Sequence, residues 1–130
     1  DQYCDGKDTD RNHLIGTRYL LEDAAGQPVA ALNVLRFRES LIGFASVATS
    51  PEHRGKGYGS LLLRAVMELH RFAQPDLRFV LFSEIKPAIY ERLGFHVLPP
   101  EHQHFLPTPA MATGDTPLSA IEGEFLKAYF

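Results

Sequence analysis

The stretch Val47 to Ser60, VATSPEHRGKGYGS, contains three glycines at alternate positions, Gly55, Gly57 and Gly59. An apolar run precedes it and an amphipathic run follows it, which places the glycines in a turn between a buried strand and a helix. Such a turn exposes backbone N–H groups, and the N-terminus of the helix adds roughly half a positive charge. The stretch therefore predicts a cradle for a phosphate or pyrophosphate group.

The helix after this turn is predicted to run from Tyr58 to Ala73, and Pro75 follows its end. Apolar residues recur along it at three- and four-residue steps, which is typical of a helix with one buried face. The residues predicted to form that face are Leu62, Ala65, Val66, Leu69 and Phe72.

Strands are predicted on both sides of this helix. Leu41 to Thr49 (LIGFASVAT) is almost continuously apolar, as a central strand covered on both faces would be, and Leu77 to Phe82 (LRFVLF) is a second buried strand. A strand, a crossover helix and another strand imply parallel pairing with a right-handed connection. Upstream, Gly16 to Asp23 and Pro28 to Arg38 flank a glycine-containing loop, which predicts an antiparallel hairpin.

Shorter elements are predicted downstream. Pro87 to Leu93 is framed by a proline that suits a first helical turn and a glycine that suits a helix end, so it predicts a short helix. Phe95 to Leu98 is predicted as a strand, Pro99 to Pro109 as a long connection and Ala110 to Thr113 as an edge strand. A final helix, capped by Thr116, is predicted to pack on the core. Its apolar face comprises Leu118, Ile121, Phe125 and Tyr129.

Length and composition indicate one ordinary globular domain. The chain has 130 residues, 45% of them hydrophobic, and its 13 Lys and Arg against 16 Asp and Glu give a formal charge of −3. This slight acidity argues against a nucleic-acid partner, and no apolar run approaches the ~20 residues that would span a membrane. The single cysteine, Cys4, cannot form an internal disulfide, which favours a reducing, cytoplasmic setting.

The first 13 residues are expected to form a polar, solvated arm ahead of a single domain over residues 14–130. Because the chain starts at Asp1 without a charged and then apolar leader, we expect it to be trimmed or truncated and to carry no signal peptide. His102 and His104 have only Glu101 nearby, fewer than the three or four ligands that zinc needs, so no metal site is predicted.

Three phosphate-binding patterns compete for the glycine turn. A Walker A loop needs a hydroxyl residue after its lysine, but Gly57 follows Lys56. A dinucleotide fingerprint needs the spacing G-x-G-x-x-G, which Gly55, Gly57 and Gly59 do not provide. The third pattern, [RQ]-x-x-G-x-[GA], is met by Arg54, Gly57 and Gly59.

With this pattern the sequence resembles the GNAT superfamily of acyl-CoA-dependent N-acetyltransferases. Residues 46–59, SVATSPEHRGKGYG, are similar to the cofactor motif of the family, and residues 90–95, YERLGF, are similar to its downstream signature. The resemblance covers about residues 14–112. It implies an α/β fold with a mixed sheet, in which antiparallel N-terminal strands precede a central parallel pair joined by a crossover helix, and a C-terminal helix follows.

The resemblance further implies acetyl-CoA as the acyl donor, with no metal. Its pantetheine arm would enter a wedge between the two central strands, and the N–H groups of the glycine turn would hold its pyrophosphate. The residues implied for cofactor binding are Val47, Ala48, Thr49, Arg54, Gly55, Lys56, Gly57, Tyr58, Gly59, Ser60 and Ser83. Ser83 stands where many relatives carry an asparagine that contacts the cofactor, and Lys86 stands where they carry an alanine.

The resemblance also places Tyr90 beside the thioester sulfur, as the proton donor to the departing thiolate; packing in the core is the alternative for this residue. A thiol with a pKa of about 8.5 leaves readily, so a tyrosine with a pKa of about 10 assists without dominating. An amine with a lysine-like pKa of about 10.4 must lose a proton before it attacks. The alternatives for accepting that proton are Glu39, Glu84, His53 and a water relay.

The sequence thus predicts an N-acetyltransferase that moves an acetyl group from acetyl-CoA to a primary amine by direct attack in a ternary complex. Because Cys4 lies in the polar arm, no acyl-cysteine relay is expected. The partners implied are acetyl-CoA and a small amine or peptide acceptor, and a homodimer is left open. The family usually has one or two helices ahead of its first hairpin, whereas only about a dozen residues precede the hairpin here. Either those helices are absent from this sequence or the acceptor site is built differently, which leaves the acceptor open. The alternatives are a non-catalytic CoA-binding regulatory or scaffold domain and, third, a nucleotide-dependent enzyme.

Overall fold

A six-stranded mixed sheet organises the chain, and the computed structural model describes residues 16–130 of it. The strands are β1 (Gly16–Glu22), β2 (Pro28–Arg38), β3 (Leu41–Thr49), β4 (Arg78–Phe82), β5 (Phe95–Val97) and β6 (Ala110–Thr113), and the helices are α1 (Tyr58–Ala73), α2 (Pro87–Glu91) and α3 (Ala120–Glu124). The strand order is β1-β2-β3-β4-β6-β5. The β3–β4 pair, joined by α1, is parallel and the other pairs are antiparallel.

This architecture confirms the predicted α/β class, with its antiparallel N-terminal strands, central parallel pair, crossover helix and C-terminal helix. The polar arm predicted for residues 1–13, including Cys4, lies outside the described residues. Over the described part of the chain, every helix is too short or too polar to cross a membrane.

The two central strands separate at their carboxyl ends. Pairing between β3 and β4 ends at Phe44 and Leu81, although β3 continues for five more residues. The register of β3 against β2 shifts between Ala31 and Asn33, and opposite this shift Ser46 has a φ of 55°. An extra residue of this kind bends and twists a strand. The bulge therefore turns the end of β3 away from β4 and opens a wedge in the sheet.

Helix α1 begins and ends as predicted, but it buries a different face. Its buried side chains are Leu62, Leu63, Val66 and Met67. The prediction that Ala65, Leu69 and Phe72 lie on that face was wrong, because Ala65 is exposed and the latter two are 57% and 91% exposed. Apolar residues occur on more than one side of this helix, so periodicity alone allows several faces, and packing against the sheet selects Leu63 and Met67.

The C-terminal segment packs on the sheet face opposite α1, as side-chain alternation along the central strands shows. Phe44 and Leu81 join the core beneath α1, whereas Ala45 and Phe82 join a second core. The C-terminal residues of that second core are Leu118, Leu126 and Phe130. This confirms the predicted core packing of the segment.

Two details of this region differ from the predictions. The final helix is capped by Ser119, not Thr116, because a capping box joins Ser119 to Glu122. It is five residues long and passes into a single 3₁₀ turn, which leaves Ile121 and Tyr129 59% and 41% exposed, off the predicted buried face.

The prediction that Ala110 to Thr113 is an edge strand was also wrong. This strand, β6, lies between β4 and β5, and all four of its residues are buried. The long connection after β5 lets the chain enter this gap, and short apolar side chains suit a position covered on both faces. The outer position is taken by β5, of which two of three residues are exposed.

Candidate functional site

A cavity of about 980 Å³ occupies the wedge between β3 and β4. Its wall includes Tyr90 and every residue implied for cofactor binding except Lys56 and Ser83. The fold thus brings together two motifs that are more than thirty positions apart in the chain. The carboxyl ends of two parallel strands meet at one edge of the sheet, which is where ligands of open α/β sheets bind.

The glycine turn borders this cavity in a conformation that favours glycine. Gly55 and Gly57 have φ values of 82° and 81°, and Gly57 is the N-cap of α1. A side chain in this left-handed region costs about 1–2 kcal/mol. A Cβ at either residue would meet nothing within 4 Å, so the space in front of the turn is open.

Within residues 16–130, the backbone donors of this turn have no acceptor. Over residues 16–130, no N–H group from Gly55 to Ser60 donates a hydrogen bond to another group, and the first such bond of α1 runs from Leu61 to the carbonyl of Gly57. The first turn of α1 contains no acidic residue. Six available donors at the positive end of a 16-residue helix suit a pyrophosphate.

Gly59 has a different role in the site, because it permits close packing. A Cβ there would lie 3.2 Å from Thr49 Oγ1 and 3.9 Å from Val47 Cγ1. Its absence lets the first turn of α1 rest directly against the end of β3. The glycines therefore fix both the shape of the turn and its distance from the strand.

The cations predicted near the phosphates are placed differently from one another. Arg54 lines the cavity, and its Nε donates a hydrogen bond of 3.2 Å to the carbonyl of Thr49. Lys56 is exposed and is not part of the cavity wall. Arg54 is thus the cation of the turn that the structure places at the cavity.

Ser83 lies next to the cavity but outside its wall. It is 3% exposed, its hydroxyl donates a hydrogen bond of 2.5 Å to the carbonyl of Ile85, and its N–H donates to the carbonyl of Pro109 at 2.9 Å. These bonds hold the loop after β4 in place. Both donors are therefore used within the protein.

Tyr90, on α2, reaches the cavity from the β4 side and is 7% exposed. Its ring makes an edge contact with Phe95, at 6.1 Å between centroids. Burial raises the pKa of Tyr90, and the negative charge of Glu84 raises it further. The phenol therefore keeps its proton at neutral pH, which a proton donor must do.

The candidate proton acceptors lie in different places. Glu84 and His53 line the cavity, and the Nδ1 atom of His53 is 2.6 Å from the hydroxyl of Ser50. Glu39 lies in the turn between β2 and β3, at the opposite end of β3, where its carbonyl accepts from Arg36. The structure therefore leaves Glu84 and His53 as side chains that could receive a proton in the cavity.

Several cavity residues escaped the sequence analysis, above all Tyr129 and Phe130 at the end of the chain. The hydroxyl of Tyr129 donates a hydrogen bond to the carboxylate of Glu84. Burial and this bond with Glu84 raise the pKa of Tyr129 to about 12. The one available signal was the apolar pattern at the end of the chain. It predicts that this segment packs on the core but does not indicate which part of the core it contacts.

Other side chains missed in the wall lie on β3 and β4, in the loop after β4, and in or just after α2. They are Phe44, Ser46, Leu81, Phe82, Ile85, Ile89 and Arg92. Most of these are apolar, and the wedge as a whole has a lining of mixed polar and apolar character. In the part of the chain that the structure describes, no three His, Cys, Asp or Glu side chains are grouped so that they could hold a metal ion.

Comparison with known proteins gives consistent results. A family model described as an acetyltransferase (GNAT) domain matches residues 15–97. Comparison of the sequence with the curated proteins gives no match. Likeness to the solved structures, at less than 25% identity, concerns the fold alone.

Three of these structures illustrate the likeness. An IAA acetyltransferase from Bacillus cereus has a TM-score of 0.63 at 17% identity, covering 75% of this chain and 77% of that one. An acyl-CoA N-acyltransferase from Pseudomonas aeruginosa has a TM-score of 0.64 at 24% identity, covering 85% and 77%. ElaA from Escherichia coli has a TM-score of 0.65 at 22% identity, covering 85% and 78%.

Proposed function

The chain belongs to the GNAT acetyltransferase family, and on that premise we propose that it transfers an acetyl group from acetyl-CoA to a primary amine. The observation that carries this proposal is the turn from Gly55 to Ser60, where six N–H groups have no partner within residues 16–130. A turn of this kind at the N-terminus of a long helix suits the pyrophosphate of a CoA thioester.

The residues of the cavity divide the binding of acetyl-CoA between them. The N–H groups of Gly55 to Ser60 bind the pyrophosphate, and Arg54 adds a positive charge beside it. The edge of β3 beyond Phe44 has lost its β4 partner, so the main chain of Val47 and Thr49 borders the wedge where the pantetheine arm fits. An extended chain laid along such an edge pairs with it as an added strand does.

Acetyl-CoA supplies an acetyl group that is activated as a thioester. In the transfer, the nitrogen of the amine bonds to the acetyl carbon, the carbon–sulfur bond breaks, and Tyr90 donates its phenolic proton to the sulfur. The raised pKa of Tyr90 keeps that proton in place until it is needed. The proton of the amine passes to a side chain of the cavity, for which Glu84 and His53 are placed, or to water.

The experiment that tests this proposal measures thiol release from acetyl-CoA with a panel of amines, amino acids, polyamines and peptides. Tyr90→Phe should bind acetyl-CoA with unchanged affinity and turn over about 100-fold more slowly, at the lower end of what general acid–base catalysis contributes. Tyr19→Phe is the matched control, because Tyr19 bonds to His70 outside the cavity.

A protein that binds acetyl-CoA but releases no thiol with any acceptor would be a binding module, and the proposal of catalysis would fail. Binding of ATP or NAD in place of acetyl-CoA would overturn the assignment of the site itself.

A further inference from the structure

The β4 side of the cavity contains a carboxylate, that of Glu84, which the proposed transfer uses only as one of two possible proton acceptors. Glu84 follows β4 and lines the cavity together with Tyr90 and Tyr129. The hydroxyl of Tyr129 donates a hydrogen bond to its Oε2 atom. Glu84 and Tyr90 both line the cavity, and the negative charge of Glu84 raises the pKa of the Tyr90 phenol.

Within residues 16–130, no cationic side chain forms an ion pair with this carboxylate. In residues 16–130 the ion pair between side chains is that of Lys127 with Glu124, and Glu84 accepts no hydrogen bond besides that of Tyr129. The Oε1 atom is therefore available to a ligand. Glu84 is an exposed residue of the cavity wall, and a carboxylate with an oxygen left for a ligand is a suitable receptor for an ammonium group.

The surroundings of Glu84 are apolar and aromatic. Ile85 and Ile89 line the cavity beside it. Phe82 stacks on Tyr129 with 4.7 Å between ring centroids and lies 4.8 Å from the ring of Phe130. A ligand whose cationic end meets Glu84 would place the rest of its body against these apolar groups.

The other charges of the cavity disfavour a second ammonium group on that ligand. Glu84 is the one Asp or Glu in the described cavity wall. The side chains of that wall that carry or can take up a positive charge are His53, Arg54 and Arg92. A second ammonium group would find no carboxylate there. Arg92 also lines a smaller cavity of about 230 Å³ with Arg64 of α1, which places it towards the α1 side of the main cavity.

We propose that the acceptor is a primary amine with an apolar body and no second charge, and that its ammonium group is received by the Glu84 carboxylate. This inference rests on the proposed function, of which it names the substrate class. A polyamine would leave a second cation unpaired. An α-amino acid would bring its own carboxylate next to that of Glu84, where like charges repel. Tyr129 acts as a positioning residue that holds the carboxylate.

The first test compares three acceptors in the thiol-release assay: 2-phenylethylamine, L-phenylalanine and 1,4-diaminobutane. L-phenylalanine adds a carboxylate to the skeleton of 2-phenylethylamine, and 1,4-diaminobutane replaces the apolar body by a second amine. We expect kcat/KM for 2-phenylethylamine to exceed both others at least tenfold. An equal or higher value for either of them would overturn the inference.

The second test uses variants of the receptor. Glu84→Gln keeps the shape of the side chain and removes its charge, so the KM for 2-phenylethylamine should rise roughly tenfold to hundredfold, as the loss of a hydrogen bond to a charged group predicts. The KM for acetyl-CoA should not change. Tyr129→Phe keeps the ring on Phe82 and should give a smaller rise in the acceptor KM with kcat unchanged. Glu91→Gln, an exposed carboxylate of α2 outside the cavity, is the matched control.

Equal acceptor KM values in Glu84→Gln and Glu91→Gln would overturn the inference. Calorimetry with acetyl-CoA alone separates this failure from that of the proposed function. If the protein binds acetyl-CoA and acetylates the diamine or the amino acid with a kcat/KM equal to or above that for 2-phenylethylamine, the inference is wrong and the proposed function stands. If acetyl-CoA does not bind, both are wrong.

Discussion

Replacing Gly57 by alanine separates the structural cost of the glycine turn from its role in binding. Gly57 has a φ of 81°, and a Cβ there would enter open space in front of the N–H groups of the turn. Gly26, in the hairpin between β1 and β2, has a φ of 84° and equally open surroundings. It lies outside the cavity wall, so Gly26→Ala is a matched control.

Both variants should lose about 1–2 kcal/mol of unfolding free energy, because each puts alanine in the left-handed region. For a chain of this length that corresponds to a fall in Tm of roughly 3–12 °C. In Gly57→Ala alone, the new methyl group stands where the pyrophosphate would approach. Loss of one hydrogen bond to a charged group costs about 1.5–3 kcal/mol, which raises the Kd for acetyl-CoA about tenfold to hundredfold.

The assay is titration calorimetry with acetyl-CoA on both variants, well below their Tm values, together with thermal unfolding. We expect the two variants to have similar Tm values. The Kd for acetyl-CoA should be raised in Gly57→Ala and unchanged in Gly26→Ala. Equal Kd values for the two variants and the natural chain would refute the reasoning, since the turn would then not contact the ligand.

Three other predictions test the packing and the titrating groups. Leu63→Ala should cost about 2–5 kcal/mol of unfolding free energy, because Leu63 is fully buried. Leu69→Ala should change the unfolding free energy by less than about 0.5 kcal/mol, because Leu69 is exposed. Urea unfolding of both variants tests whether the buried face of α1 is as described. Ser83→Ala should cost about 1 kcal/mol of unfolding free energy, from the loss of a partly buried hydrogen bond, and leave the Kd for acetyl-CoA unchanged. A tenfold higher Kd would give Ser83 a direct role in binding. The pKa of Tyr129 rises from 10.0 to about 12 on folding, so its contribution to stability is fully present below pH 10 and is lost towards pH 12. Over that interval, the unfolding free energy measured with urea should fall more steeply for the natural chain than for Tyr129→Phe. Parallel curves for the two proteins would contradict the pKa shift.

Local signals in the sequence predicted the elements that local chemistry determines. The bounds of β2, β3, α1 and β6 agree with the sequence because prolines, glycines and apolar runs mark them directly. The glycine turn was equally predictable from the sequence, since Gly55 and Gly57 adopt a left-handed φ that glycine reaches without steric cost.

The features that were missed depend on contacts between distant parts of the chain. The bulge at Ser46 contains no glycine or proline from which the sequence could have predicted it. The hydrogen bond between Glu84 and Tyr129 joins residues 45 positions apart, so no local pattern contains it. The buried face of α1 was decided by the shape of the sheet, because the helix has apolar residues on several sides. The half of the cavity nearest the proposed acceptor was therefore the half least accessible to sequence reasoning.

The most direct measurement follows the backbone N–H resonances of Gly55 to Ser60 by heteronuclear NMR during titration with acetyl-CoA. If these amides hold the pyrophosphate, their signals shift more than those of the hairpin at Gly26, and acetyl-pantetheine, which lacks the pyrophosphate, leaves them nearly unmoved. Saturable binding of acetyl-CoA with those six signals unchanged would contradict the account.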